Sequence, residues 1–277
     1  MLERVKDIHV VLCPDEGRTG AAAAFGLSLA QAAQAHVTVQ AASVRITIPH
    51  SIISNVGSAL VREENKRRLE AAENTADACR KNAAAQGSAC TALAFQIPFP
   101  EAVAACGRRS RLHDLTILDA RADALRLERA VVEEILFKCG RPVLVVPEGH
   151  DAFRPGHAMV AWDGSAQAAR ALNDALPLLA AARTVSLVSV AEPGKEDALP
   201  GADIARHLSR HGIQVTLVDL KASQKNVESI LRDQSHAHRT DLIVMGAYAH
   251  SWWREIALGG VTQSFIGDPP APLFLSH

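Results

Sequence analysis

The sequence predicts an α/β protein with two tandem domains, each a five-stranded parallel sheet with helices on both faces. Short, continuously apolar segments alternate with Ala-rich or amphipathic segments, as in buried parallel strands joined by helices. The order of these segments recurs: residues 113–118 resemble residues 240–245, and residues 141–146 resemble residues 271–275. The length of 277 residues is sufficient for two such domains.

The predicted domains span residues 1–149 and 157–277, with a polar boundary rich in Pro and Gly at residues 148–156. In the second domain, an apolar stripe predicts a helix over residues 166–182, which Pro177 should bend or end early. In the first domain, a similar stripe predicts a long helix over residues 62–86 that ends at Gly87.

Composition excludes several classes of partner. The net charge of -1 provides no basic surface for nucleic acid. No apolar run approaches the roughly 18 residues of a membrane span, and the first residues do not resemble a signal peptide. The five cysteines form no C-x-x-C pair and all precede residue 140. We therefore expect reduced thiols and a cytoplasmic location.

The candidate binding residues directly follow predicted strands, where ligands of open α/β sheets bind. Asp163 ends the first strand of the second domain, and Gly259-Gly260 opens its final helix, with Thr262 in the first turn. Bare backbone N–H groups at a helix start favour an anion such as phosphate. The same glycines could instead serve tight turns, and Asp163 could cap its helix.

The segment Gly246-x-x-Ala249, nine residues, then Gly259-Gly260-x-Thr262 resembles the nucleotide motif of the universal stress protein family. The resemblance covers residues 159–277 and more faintly residues 2–147. It implies the adenine nucleotide alpha hydrolase-like fold and an adenine nucleotide, ATP or AMP, as ligand. By this resemblance the adenine contacts are Asp163 and the Val190 backbone, the ribose or phosphate contact is Gly246, and the phosphate-loop residues are Ala249, Gly259, Gly260 and Thr262.

Two departures from the motif weaken the expected binding. Ala249 replaces its second glycine, and Gly260 replaces its Ser or Thr, which removes one hydroxyl donor worth about 0.5–1.5 kcal/mol. The first domain departs further, because Asp119 stands where the second domain has Gly246 and would repel phosphate. We therefore expect the first domain to be a degenerate, structural repeat.

The sequence thus predicts a regulatory stress-response module that weakly binds an adenine nucleotide, with Mg²⁺ accompanying ATP. We expect its two domains to pair within the chain, and a homodimer is compatible with the pattern. The alternative is a nucleotide-free scaffold or protein-interaction module. No general base is evident beside the phosphate loop, so any ATP hydrolysis should be slow.

Two further features of the second domain carry weaker signals. His207 and His211 lie four residues apart on a predicted helix, but no third ligand is evident, so no metal site is predicted. The pair Trp252-Trp253 favours a domain or oligomer contact over a flap covering the ligand.

Overall fold

The computed structural model describes residues 2–14, 20–48, 55–121, 127–191, 201–221, 226–247 and 260–277. In these residues ten strands form one continuous sheet. The strands are β1 (Asp7–Leu12), β2 (His36–Val44), β3 (Cys90–Ile97), β4 (Leu115–Asp119), β5 (Val143–Val146), β6 (His157–Trp162), β7 (Thr184–Ala191), β8 (Val215–Lys221), β9 (Leu242–Gly246) and β10 (Leu273–Ser276). The described helices are α1 (Ala21–Ala33), α2 (Asn55–Ala85), α3 (Phe99–Ser110), α4 (Leu127–Lys138), α5 (Ala166–Asp174), α6 (Leu176–Ala181), α7 (Gly201–Arg210), α8 (Val227–Ala237) and α9 (Gly260–Gly267).

The sheet consists of two parallel five-stranded halves joined edge to edge. Its order is β3-β2-β1-β4-β5-β10-β9-β6-β7-β8, and every pairing is parallel except that of β5 with β10. In that antiparallel pair Leu144 lies opposite Phe274, with Val145 opposite Leu273 and Val143 opposite Leu275. Corresponding strands of the two halves therefore meet as they would across a two-fold axis.

Helices cover both faces of this sheet, as the sequence predicts. Side chains alternate along a strand, so Val10 and Leu12 of β1 face one core and Val11 faces the other. The first core includes residues of α1, α2, α5, α6 and α7, and the second includes residues of α3, α4, α8 and α9. Each core runs continuously through both halves. None of the described helices has the length and apolarity needed to cross a bilayer.

The predicted break at Pro177 is confirmed. The segment forms two helices, α5 and α6, and Pro177 occupies the first turn of α6, where its missing N–H costs no hydrogen bond. The long helix of the first half ends close to the predicted position, before Gly87 at φ +66°. The helix begins at Asn55, whereas the prediction began at residue 62. The prediction started late because the first turns of the helix lack the apolar stripe. Leu60, for example, is 67% exposed.

The segment between β5 and β6 packs on the first half. The backbone N–H of Phe153 donates to Ser28 Oγ at 3.1 Å, and its ring contacts Phe25 edge-on at 6.1 Å between centroids. This segment spans the proposed domain boundary, and the limits at residues 149 and 157 remain a prediction.

Candidate functional site

Three of the predicted binding residues come together at one rim of the sheet. β6 lies between β9 and β7, with Ala161 opposite Met245 and Trp162 opposite Ser189. The residues that follow these pairs are Asp163, Val190 and Gly246, so the three residues lie at nearly the same height along neighbouring strands. β7 and β8 lie on one side of β6, whereas β9 and β10 lie on the other, so the strand order reverses at β6. Open α/β sheets bind ligands at the strand ends beside such a reversal.

Asp163 is exposed and organises the turn between β6 and α5. Its Oδ1 accepts a hydrogen bond from the backbone N–H of Ser165 at 3.0 Å, and Gly164 between them adopts φ +78°. Ser165 in turn caps α5, since its Oγ accepts from the N–H of Ala168 at 3.0 Å. The carboxylate therefore stays at the surface of the rim while the protein satisfies the helix start itself.

Gly246 is half-buried, and its lack of a side chain has a packing reason. A Cβ at this position would lie 2.5 Å from the backbone N of Ala168 and 2.6 Å from the backbone C of Gln167. The first turn of α5 therefore packs directly against the end of β9. This contact between distant segments is not visible in the sequence, and it explains the glycine without any ligand.

The start of α9 supplies the remaining described residues. The helix begins at Gly260, and Thr262 lies in its first turn with only 6% of its surface exposed. Ala249, Gly259 and the pair Trp252-Trp253 lie outside the described residues. The structure thus gives the positions of Asp163, Val190, Gly246, Gly260 and Thr262 among the predicted binding residues.

The corresponding rim of the first half carries a protein carboxylate. Asp119 ends β4, and its Oδ1 accepts a hydrogen bond from the N–H of Ala22 in the first turn of α1 at 2.9 Å. Gly20 precedes that helix, and a Cβ there would overlap the Asp119 carboxylate. Burial raises the pKa of Asp119, while the Ala22 N–H and the Arg121 charge oppose that rise. An acidic side chain thus fills the helix start at this rim.

A cavity of about 240 Å³ lies between α1 and α2 beside Asp119. Its lining includes Leu12, Cys13, Leu27, Cys79 and Arg121. Arg121 Nε lies 3.5 Å from Glu128 Oε1, so both charged groups at this end are engaged within the protein. Burial and the Glu128 carboxylate raise the pKa of the Cys13 thiol, which disfavours a reactive thiolate.

Comparison with known sequences finds neither a matching protein-family model nor a matching curated protein. Comparison with solved structures does find matches over the whole chain. A universal stress protein from Archaeoglobus fulgidus DSM 4304 superposes with a TM-score of 0.66 at 18% identity, covering 97% of each chain. The chain has the universal stress protein fold.

Two further structures share this fold across the full length. A functionally unknown protein from Pseudomonas aeruginosa PAO1 superposes with a TM-score of 0.56 at 14% identity, covering 99% of this chain and 93% of its own. A candidate universal stress protein from Pseudomonas aeruginosa UCBPP-PA14 has a TM-score of 0.55 at 15% identity, covering 99% and 94%. Chains of similar length therefore share this fold over nearly their whole length.

Proposed function

We propose that this chain is a tandem universal stress protein, a regulatory stress-response module whose second half weakly binds an adenine nucleotide. The observation that carries the proposal is the convergence of Asp163, Val190 and Gly246 at one rim, where the strand order changes direction. An exposed carboxylate beside a strand end can accept hydrogen bonds from a base amino group or ribose hydroxyls.

The proposed ligand is ATP or AMP, with Mg²⁺ accompanying ATP. In this proposal Asp163 and the Val190 backbone hold the adenine, and Gly246 lies beneath the ribose or phosphates. The phosphates then meet the loop that carries Ala249 and Gly259 and the start of α9 at Gly260 and Thr262. The described part of α9 starts at Gly260, and the first backbone N–H groups of a helix have no partner within it, which favours an anion.

The two halves of the chain are proposed to pair with each other in place of a dimer of separate domains. The register of β5 with β10, centred on Leu144 and Phe274, supports this pairing. A cytoplasmic location is also part of the proposal, and the five free cysteines favour a reducing compartment. Any ATP hydrolysis would be slow, and a further homodimer and the absence of nucleic acid from the partners remain predictions.

Calorimetric titration with ATP and AMP tests the nucleotide site. The full chain should release or absorb heat with a saturable, one-site isotherm, and Gly259→Asp should abolish it by placing a negative charge at the phosphates. Asp163→Ala should weaken binding of both nucleotides, because it removes a contact to the nucleoside. Absence of binding at about millimolar nucleotide, a limit near -4 kcal/mol, would refute the proposal.

The second candidate function is a nucleotide-free scaffold. It is favoured by the packing reason for Gly246 and by the hydrogen bond between Asp163 and Ser165, since both explain site residues without a ligand. Ala249→Gly distinguishes the two functions. If the pocket can otherwise accept a nucleotide, this substitution should create or strengthen nucleotide binding. If the protein is a scaffold, the variant should bind no nucleotide.

A further inference from the structure

Two histidines lie next to each other at the end of α7. His207 lies in the last turn of the helix, and His211 follows its final residue by one position. Their ring centroids are 4.9 Å apart at an interplanar angle of 63°. From the sequence alone, no third metal ligand can be assigned to this pair.

The structure supplies a third donor from α5. Oδ1 of Asn173 lies 3.2 Å from Nε2 of His207, although the two residues are far apart in sequence. The amide orientation of Asn173 is fixed, because its Nδ2 donates to the carbonyl oxygen of Ala169 at 2.8 Å. Its Oδ1 therefore faces His207. The Asn173 oxygen thus lies beside one imidazole of the pair, and the second imidazole packs against the first.

The observed separations match those of ligands around a transition metal. Two donor atoms each about 2.1 Å from one ion, at octahedral or tetrahedral angles, lie about 3.0–3.4 Å apart. The His207 Nε2 to Asn173 Oδ1 distance of 3.2 Å lies in that range. Two imidazoles on the same ion have ring centres about 4.5–5.2 Å apart, and the observed 4.9 Å fits.

We propose that His207, His211 and Asn173 bind a divalent transition-metal ion of the Cu²⁺, Ni²⁺ or Zn²⁺ type. Imidazole nitrogen suits these ions, whereas Mg²⁺ and Ca²⁺ prefer oxygen donors. The ion replaces the proton that lies between His207 Nε2 and Asn173 Oδ1, and water completes its coordination. The site joins α7 to α5, so the bound ion stabilises the second half against unfolding. It does not depend on the proposed nucleotide site.

Titration with Ni²⁺ tests the site in the full chain after removal of metals with a chelator. The wild-type protein should show one Ni²⁺ site, and either His207→Gln or His211→Gln should weaken it by about tenfold or more. Asn173→Ala should weaken it by a smaller factor. The control is His236→Gln, which changes an exposed histidine on α8 and should leave the affinity unchanged.

Thermal unfolding provides a second readout. Ni²⁺ should raise the melting temperature of the wild-type protein and of His236→Gln, but not that of His207→Gln or His211→Gln. The proposal is overturned if the wild-type protein binds no Ni²⁺, or if both histidine variants bind Ni²⁺ as tightly as the wild-type protein does. In that case the contact between His207 and Asn173 is an ordinary hydrogen bond.

Discussion

The two halves of the chain share one topology but complete their corresponding rims in opposite ways. In the first half Gly20 precedes α1 and offers no capping side chain, and Asp119 at the end of β4 supplies a carboxylate to the helix. In the second half Ser165 caps α5 with its own hydroxyl, and Gly246 at the equivalent strand end has no side chain. The positive end of α1 is thus neutralised by a buried carboxylate, whereas Asp163, the carboxylate described at the second rim, is exposed.

The two halves also differ in the side chains that their strands bury. His9 of β1 is fully buried, with Nε2 2.9 Å from Gln40 Oε1 and Nδ1 3.1 Å from Ser110 Oγ. The corresponding residues of β6 and β7 are Met159 and Val188, which belong to an apolar core. The first half therefore carries buried polar groups where the second relies on hydrophobic packing.

The largest effect should come from filling the space at Gly246. Gly246→Ala should lower the free energy of unfolding by about 3 kcal/mol, because the new methyl group meets the backbone of Ala168 at 2.5 Å. Denaturant titration measures this loss. The control is Gly201→Ala, whose methyl group would find its nearest neighbour, Leu217, at 3.5 Å and should cost less than about 0.5 kcal/mol. Equal effects of the two substitutions would contradict the packing explanation.

A smaller effect should follow acidification, through His9. Burial, and then the neighbouring His113, lower the pKa of His9 to about 3, whereas an unfolded histidine titrates near 6.5. Below that value the unfolded chain takes up a proton that the folded protein does not, so stability is lost as pH falls. This residue alone should contribute a slope of about 1.4 kcal/mol per pH unit between about pH 6 and pH 4.

The double variant His9→Met with Gln40→Val transplants the residues of the second half and sharpens this comparison. Denaturant titrations of both proteins across that pH range should show a shallower decline for the variant. Parallel pH profiles would mean that His9 is protonated in the folded protein, contrary to the effect of its burial.

The smallest effects should come from the two helix caps. Asp119→Ala should cost about 1–2 kcal/mol, because it leaves the Ala22 N–H without its partner, and Ser165→Ala should cost about 1 kcal/mol at α5. Asp151→Ala, on an exposed residue, is the control and should be nearly neutral. If Asp119→Ala were instead stabilising, the buried carboxylate would be a source of strain rather than a cap.

The sequence predicted those features that local patterns determine. Alternating apolar strands and helices predicted the two parallel halves of the sheet, and Pro177 predicted the division between α5 and α6. The early start of α2 at Asn55 could not be predicted, because its first turns carry no apolar stripe, as the 67% exposure of Leu60 shows. Apolar patterns of this kind predict only those segments that pack against the core.

Contacts between distant segments could not be predicted in this way. The sequence predicts that Asp119 repels phosphate, but its contact with Ala22 depends on how β4 and α1 are placed in the fold. A signal did exist, since α1 begins after Gly20 with no capping side chain of its own. Likewise, Asn173 approaches His207 only through the packing of α5 beside α7.

The central claim is that an adenine nucleotide binds at the second rim and not at the first. Photolabelling of the full chain with an azido-adenine analogue of ATP, followed by peptide mass spectrometry, tests it directly. We predict labelled peptides around Asp163 and Val190, suppressed by excess ATP and absent from Gly259→Asp. Labelling concentrated beside Asp119, or no labelling that ATP suppresses, would contradict the account.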